Sequence, residues 1–336
     1  MHGISLAPGV RFLAVLFLLL TACKTVSDPI PIPDPAPIGA PSVQLSVEPD
    51  DGVQPLVRFI DASQHTLDVA MYLLSDRDVI GALERSRQRG VEVRVMLEEH
   101  PYGNGPGNRQ IYDRLKKAGV SVTWSPPTFQ LSHDKYAIAD RQIALVGTAN
   151  WTLSAFKYNR EYFVVDRDPT DVMQIEAVFQ GDWQRHPVAL DDPHLVVSPT
   201  NSRTDLLGLI ASARHELDLE AEELQDSGIE TALGQAARRG VQVRVIVPRP
   251  GAGVNDPNAF GERTLDGDGV QVRKLRTPFI HAKVVIVDER EAFVGSENIS
   301  KPSLDGNREV GLLISDPDAL KRLNATFARD WTSARP

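Results

Sequence analysis

Between residues 44 and 187 the chain alternates two hydrophobic periods. Apolar runs at 67–73 and 91–97 read as strands, and between them 78–89 carries Val79, Ile80, Ala82 and Leu83 at helical spacing. A second amphipathic stretch, 109–118, precedes strand-like runs near 120–124, 133–139, 142–147 and 161–166. A helix near 170–183 closes the block. Alternating strands and helices predict an α/β sandwich, with a mostly parallel sheet covered by helices.

The same pattern then starts again. Arg89-Gly90-Val91-Glu92-Val93-Arg94-Val95 recurs as Arg239-Gly240-Val241-Gln242-Val243-Arg244-Val245, an offset of 150. The run from Leu67 to Asp76 aligns with that from Leu217 to Asp226 at the same offset. Asn159-Arg160-Glu161 returns as Asn307-Arg308-Glu309, and Asp182-Trp183 as Asp330-Trp331, both at 148. This repeat is far longer than a solenoid unit, so it predicts two homologous domains, 44–187 and 194–336, packed about a pseudo-twofold axis.

The first 43 residues follow neither period. Phe12 to Leu20 is an unbroken apolar run behind a single firm positive charge, Arg11. It is too short to span a bilayer as a helix and suits the apolar core of a signal peptide. The run ends Leu20-Thr21-Ala22-Cys23, which resembles the bacterial lipobox, so 1–23 is expected to be a lipoprotein-type signal ending at a lipidated Cys23. The next segment, 24–43, has Pro at every second position from Pro29 to Pro37 and again at Pro41, and is expected to be an extended linker. At about 3.1 Å per residue it would hold the body roughly 40 Å from its anchor.

Composition narrows the function classes. In 336 residues, 42% apolar and 24% charged, whole-chain disorder and a polytopic membrane protein are both excluded. The formal charge of −9 weakens the case for a partner held by phosphate electrostatics. Removing 1–22 takes away Arg11 alone among the charged residues, so the acidity belongs to the body. One Cys leaves no intrachain disulfide and no cysteine-rich metal site.

The candidate chemistry occurs once in each half. His133-Asp134-Lys135 is followed by Asp140 and by Gly147-Thr148-Ala149-Asn150; His281-Ala282-Lys283 is followed by Asp288 and by Gly295-Ser296-Glu297-Asn298. In a strand, His and Lys two apart share a face. Asp140 and Asp288 open polar turns between apolar runs, so each segment predicts a β-hairpin. With the turn centred at 141–142, His133 lies opposite Asn150 and His281 opposite Asn298. Glu161 and Glu309 each follow their own His by 28 residues, on the next strand and within its reach. A lone His or Lys in a strand is usually structural. Two matched sets among only 8 His are not.

These residues resemble the phospholipase D superfamily, whose signature is H-x-K-x(4)-D with a downstream G-S/G-x-N, and the resemblance covers nearly all of the chain after residue 44. It implies two α/β halves with one active site at their interface and both half-sites in one monomer. One His forms a phosphohistidine, and the other protonates the leaving alcohol and then activates water or an acceptor alcohol. His133 is expected to be the nucleophile and His281 the acid/base. Lys135, Lys283, Asn150 and Asn298 are expected to bind the phosphoryl oxygens, and Glu161 and Glu309 to orient a His through its second nitrogen. Asp140, Asp288, Gly147 and Gly295 are motif positions with structural roles. Thr148 stands where Ser is usual and keeps a hydroxyl. No cofactor or metal is expected, since the family mechanism needs none and no carboxylate cluster has metal-ligand spacing.

The expected function is therefore phospholipase D-type hydrolysis, or exchange, of phospholipid head groups by a lipid-anchored protein of the bacterial cell envelope. Cardiolipin synthase-like transfer is the alternative, followed by a nuclease of the superfamily; a nucleic-acid partner would need a basic groove. A catalytically dead surface-binding lipoprotein is disfavoured by the two intact motifs. Three weaker features stay open. The loop Pro101–Asn108 could cover the site. Trp124, Phe129, Trp151, Phe156 and Tyr158 could wall it or pack in the core. Tyr72 aligns with Glu222, an asymmetry of unassigned consequence.

Overall fold

Each half builds its own sheet. The computed structural model describes residues 1–3, 42–103 and 105–336; the apolar run of the leader, Cys23 and the Pro-rich stretch up to residue 41 lie outside the described residues. The first half holds strands β1 (Val43–Glu48), β2 (Thr66–Met71), β3 (Glu92–Leu97), β4 (Ser121–Trp124), β5 (Lys135–Ala139), β6 (Ile143–Gly147) and β7 (Asn159–Asp166). Helices α1 (Gln54–Ala62), α2 (Arg77–Gln88), α3 (Arg109–Lys117), α4 (Leu153–Lys157) and α5 (Pro169–Gln184) connect and cover them. β1 begins at Val43, one residue inside the stretch expected to be linker.

The second half repeats the plan with β8 (Leu195–Ser198), β9 (Glu216–Ala221), β10 (Leu224–Gln225), β11 (Gln242–Pro248), β12 (Gln271–Leu275), β13 (Phe279–Ile280), β14 (Lys283–Val287), β15 (Glu291–Gly295), β16 (Ile299–Ser300) and β17 (Glu309–Ile314). Its helices are α6 (Ser202–Ser212), α7 (Ser227–Arg238), α8 (Ala259–Gly267), α9 (Lys301–Asp305) and α10 (Pro317–Ser333). Helix starts are written into both copies. Asp76 and Asp226 cap α2 and α7 by accepting two backbone N–H groups each, and Asp168 and Asp316 cap α5 and α10 ahead of a Pro in the first turn.

The strand orders, β1-β7-β6-β5-β2-β3-β4 and β12-β11-β9-β14-β15-β17-β8, place the two motif hairpins at the middle of their sheets. The expected mostly parallel sheet is in fact mixed. Only β2-β3-β4 and β9-β11-β12 run parallel, and every other neighbour along these orders is antiparallel. The reason is connection length: β5 and β6 are joined by residues 140–142, far too few for a parallel crossover.

The turn also shifts the register. Ala139 pairs with Ile143 and Val287 with Glu291, centring the turns on Arg141 and Glu289, so the ladder runs one residue away from the expected pairing of 133 with 150. Asp140 and Arg141 (φ 54° and 56°), like Asp288 and Glu289 (51° and 55°), adopt the left-handed conformation that tight hairpins require. The Asp140 carboxylate accepts the N–H groups of Gln64, His65 and Thr66, and Asp288 those of Arg214, His215 and Glu216. Each motif Asp thus ties its hairpin to the loop before the neighbouring strand.

Strand alternation sorts side chains into different cores. From β5, Ala137 and Ala139 face α1, α2 and α3, whereas Tyr136 and Ile138 enter a core shared with Val284, Ile286, Val310 and Leu312 of the second sheet. Helices α6, α7 and α8 cover the outer face of the second sheet in the same way. The contacts across the halves are reciprocal. The Arg160 guanidinium binds Asp330 (Nη2–Oδ1 3.0 Å) and Arg308 binds Asp182 (Nη2–Oδ1 3.0 Å), while β13 pairs with β7 and Ser132 bridges Arg308. Position i meeting j′ while i′ meets j is the signature of a twofold relation.

Candidate active site

Both motif histidines sit at the seam, at the mouths of β5 and β14. The His133 N–H donates to the Arg308 carbonyl at 2.8 Å and the His281 N–H to the Arg160 carbonyl at 3.3 Å, so each His is docked on the other half's β7 or β17 region. His133, Asn150, His281 and Asn298 line one cavity of about 630 Å³, together with Tyr72, Tyr102, Glu222 and Glu223. A groove of about 690 Å³ along β1 and α10 contains none of the motif residues.

The orienting carboxylates come from the opposite half. His133 Nδ1 lies 2.8 Å from Glu309 Oε2, and His281 Nδ1 lies 2.8 Å from Glu161 Oε1. The 28-residue spacing puts each Glu within reach of the His of its own half, and the structure makes the other pairing. Glu161 and Glu309 point from the strand after their own hairpin into the seam, where the other half's His has been delivered by the twofold. Both carboxylates are fully buried and further held. Thr148 Oγ1 donates to Glu161 at 2.6 Å, and Ser303 Oγ and Asn307 Nδ2 donate to Glu309 at 2.6 and 3.0 Å. With Nδ1 committed as donor, Nε2 is the nitrogen left for chemistry.

The two sites differ at one aligned pair. The backbone N–H of Tyr72 donates to the Asp134 carbonyl and that of Glu222 to the Ala282 carbonyl, both at 3.1 Å, so the positions are structurally equivalent. Tyr72 meets the His133 ring edge-on, with centroids 4.4 Å apart, and Lys135 Nζ lies 5.0 Å from the Tyr72 ring. Glu222 instead places Oε2 3.3 Å from His281 Nε2 and 2.7 Å from Lys283 Nζ. His281 therefore faces a carboxylate at each ring nitrogen, so an N–H at either position has an acceptor. His133 faces one.

The electrostatics follow the same division. Burial pushes the His133 imidazole below its ordinary range, outweighing the pull of Glu309. Burial also brings the Lys135 ammonium down to about 7. For Glu222 burial acts upward, but His281 and Lys283 overcome it and hold the carboxyl at about 2. Burial likewise opposes ionisation of Glu309, and its contacts with His133 and Lys135 win, keeping it below the usual carboxylate range. The first site thus holds an imidazole whose protonation burial opposes, and the second places the low-lying Glu222 carboxylate against its His.

Other motif positions act on the frame. A Cβ at Gly147 would stand 2.5 Å from the Phe163 ring and 2.9 Å from the Tyr162 carbonyl, and one at Gly295 2.6 Å from Gly311 Cα, so neither site accepts a side chain. Thr148 Oγ1 and Ser296 Oγ both accept a backbone N–H at 3.0 Å, from Tyr162 and Val310. Trp151 and Phe156 pack in the first core, and Trp124 stacks on Tyr112; the aromatics that reach the cavity are Tyr72 and Tyr102. Tyr102 belongs to the glycine-rich loop and donates its backbone N–H to the Tyr72 hydroxyl at 2.6 Å. Sequence reasoning passed over Ser303 and Asn307 as partners of Glu309, although Asn307 and Asn159 stood in the repeated Asn-Arg-Glu triplet.

Comparisons with known proteins bear on the family and the fold. A family model described as cardiolipin synthase, PLD-like domain, matches residues 56–183 and again 206–331. A probable cardiolipin synthase of Bacillus subtilis is 26% identical over 306 residues, covering 77% of this chain and 60% of that protein. Cardiolipin synthase B of Salmonella typhi is 27% identical over 323 residues, 82% of this chain and 76% of that protein. In fold, polyphosphate kinase from Porphyromonas gingivalis superposes with a TM-score of 0.68 at 20% identity, over 89% of this chain and 50% of that one. With two matched motifs, reciprocal His–Glu pairs and a doubled family match, the chain belongs to the phospholipase D-like superfamily, carrying two such domains in one polypeptide.

Proposed function

We propose that the protein transfers a phosphatidyl group from one phospholipid to an alcohol acceptor, through a phosphohistidine on His133. The observation that carries the assignment of roles is the Tyr72–Glu222 difference. His133 Nε2, unopposed by a carboxylate, attacks phosphorus; the bond to the leaving alcohol breaks, and His281 Nε2–H supplies its proton. The second half-reaction runs backward through the same groups. His281 removes the proton of the acceptor hydroxyl, whose oxygen attacks phosphorus, and the P–N bond to His133 breaks. Lys135, Lys283, Asn150 and Asn298 are the groups that would meet the phosphoryl oxygens.

The sequence put hydrolysis ahead of transfer. The cardiolipin synthase relatives favour transfer, with water as the competing acceptor. Among the described residues the cavity lining contains Glu222 and Glu223, and Lys135 and Lys283 are buried with their Nζ on the His133 and His281 carbonyls, so no basic groove extends along the cavity for a polyanionic nucleic acid. Anchoring at Cys23 would keep the site beside its lipid.

The test is incubation with vesicles containing phosphatidylglycerol, with products resolved by mass spectrometry. Cardiolipin with release of glycerol supports transfer; phosphatidic acid alone returns the reading to hydrolysis. Rapid acid-free denaturation during turnover should leave the phosphoryl label on the peptide containing His133. Label on the His281 peptide would reverse the two roles.

A further inference from the structure

A second cluster of titratable groups lies outside the catalytic cavity, where the first half passes into the second. Asp166 ends β7, Asp171 lies in the first turn of α5, and Asp192 and His194 stand in the connector just before β8. All three aspartates are buried and His194 is half exposed. His194 Nδ1 is 3.2 Å from Asp171 Oδ1 and 3.9 Å from Asp192 Oδ1. One ligand atom from each of Asp171, Asp192 and His194 falls within 4.8 Å of the others. Among the described residues, no Lys or Arg makes an ion pair with any of the three aspartates.

Two further observations point to a cation as the ligand of this cluster. Asp192 has a fully buried side chain whose Oδ1 accepts the His194 N–H at 2.8 Å, while Oδ2 has no N–H partner and the carboxyl lies against that of Asp171. The internal repeat also supplies a control. At the offset of 148, positions 166 and 171 correspond to Ile314 and Ala319, both buried in the shared core. The fold thus accepts apolar residues at these places, and the carboxylates of the first half are no requirement of the architecture. Gathering them without positive charge is costly, because each disfavours ionisation of the next.

We propose that Asp171, Asp192 and His194, with Asp166 alongside, bind a divalent cation that clamps the connector to the start of α5 and the end of β7. The mixed carboxylate–imidazole set suits Zn²⁺ or Mn²⁺ better than Mg²⁺ or Ca²⁺, which prefer oxygen alone. Its role is structural: it fixes the point at which the chain crosses from one half to the other, and hence the seam that holds both histidines.

The experiment titrates the EDTA-treated and dialysed full chain with ZnCl₂, MnCl₂, MgCl₂ and CaCl₂, following bound metal by mass spectrometry and thermal melting. One Zn²⁺ or Mn²⁺ per chain at this site should raise the melting temperature by about 5 °C at saturation. Asp192→Asn should weaken that binding by at least the roughly tenfold that an outer-sphere partner is worth. His194→Ala, altering a half-exposed side chain, repeats the test should the buried variant fold poorly. Because the catalytic histidines are themselves possible ligands, His133→Ala is titrated in parallel and should leave the response intact. Binding that disappears with His133→Ala and survives Asp192→Asn and His194→Ala would overturn the site. So would no stabilisation by any of the four ions, and a response confined to Mg²⁺ or Ca²⁺ would overturn the ligand class.

Discussion

The two halves share strand order, capping aspartates, hairpin turns and reciprocal arginine pairs, yet their histidines stand in different surroundings. In the first half His133 has Glu309 on one side and the edge of Tyr72 on another. In the second, His281 lies between Glu161 and Glu222. The scaffold positions two equivalent imidazoles, and one aligned pair of side chains makes them unequal. On the proposed mechanism the His with the aromatic neighbour is the nucleophile, and the His between two carboxylates is the acid. Duplication alone yields a symmetric pair of groups, while a two-step transfer needs one base-form and one acid-form His at the outset.

The strongest attack on this comparison is removal of each His. His133→Ala should abolish turnover on every substrate, since no covalent intermediate can form. His281→Ala should lower turnover by roughly 10²–10⁴-fold on a lipid. It should regain much of that loss on a p-nitrophenyl phosphodiester, whose leaving group needs no proton. Equal losses on both substrates in the two variants would remove the division of labour.

Next in size is the crossed pairing. Glu309→Gln and Glu161→Gln should each reduce kcat by about 10–100-fold with little change in KM. Glu309→Gln should slow formation of the phosphohistidine, whereas Glu161→Gln should act chiefly where His281 moves a proton, so its loss should shrink on the p-nitrophenyl substrate. The opposite assignment of burst and leaving-group effects would restore pairing within each half.

Glu222→Gln keeps the shape and removes the charge. We expect roughly a tenfold fall in kcat on lipid and almost none on the activated diester. A loss equal on both substrates would make Glu222 a packing residue. The smallest effect is on pH. Lys135, lowered by burial to about 7, loses its proton as pH rises through neutrality, so kcat/KM should decline above that point. Lys135→Met should flatten this alkaline limb; a limb unchanged in the variant assigns it to another group.

Much of this was readable in the chain because it depends on near neighbours. The strands of the first motif were anticipated at 133–139 and 142–147 and are found at Lys135–Ala139 and Ile143–Gly147; the helix at 170–183 is Pro169–Gln184. Side-chain period and capping residues suffice for such elements. Parallel or antiparallel pairing was misjudged, because the apolar run of a strand buried on both faces looks the same in either sheet. The aligned Tyr72 and Glu222 were visible as an asymmetry without a role, since neither sequence neighbour hints at the His each would meet.

By itself, then, the sequence determined the duplication, the elements within each copy, and the residue types of the chemistry and their order along each hairpin. All are set by spacing of a few residues or by comparison of one copy with the other. The spacing also predicted that each His shares a strand face with its Lys, whereas β5 and β14 begin at Lys135 and Lys283 and leave the His just ahead of them. The tertiary structure alone decided which carboxylate serves which His, and which His stands between two carboxylates. It also brought Asp171 to Asp192 and His194 across the connector. The physical reason is the same in each case. Period fixes the face on which a side chain emerges, but what it meets there comes from burial of the shared core, which joined His133 to Glu309 across 176 positions of chain.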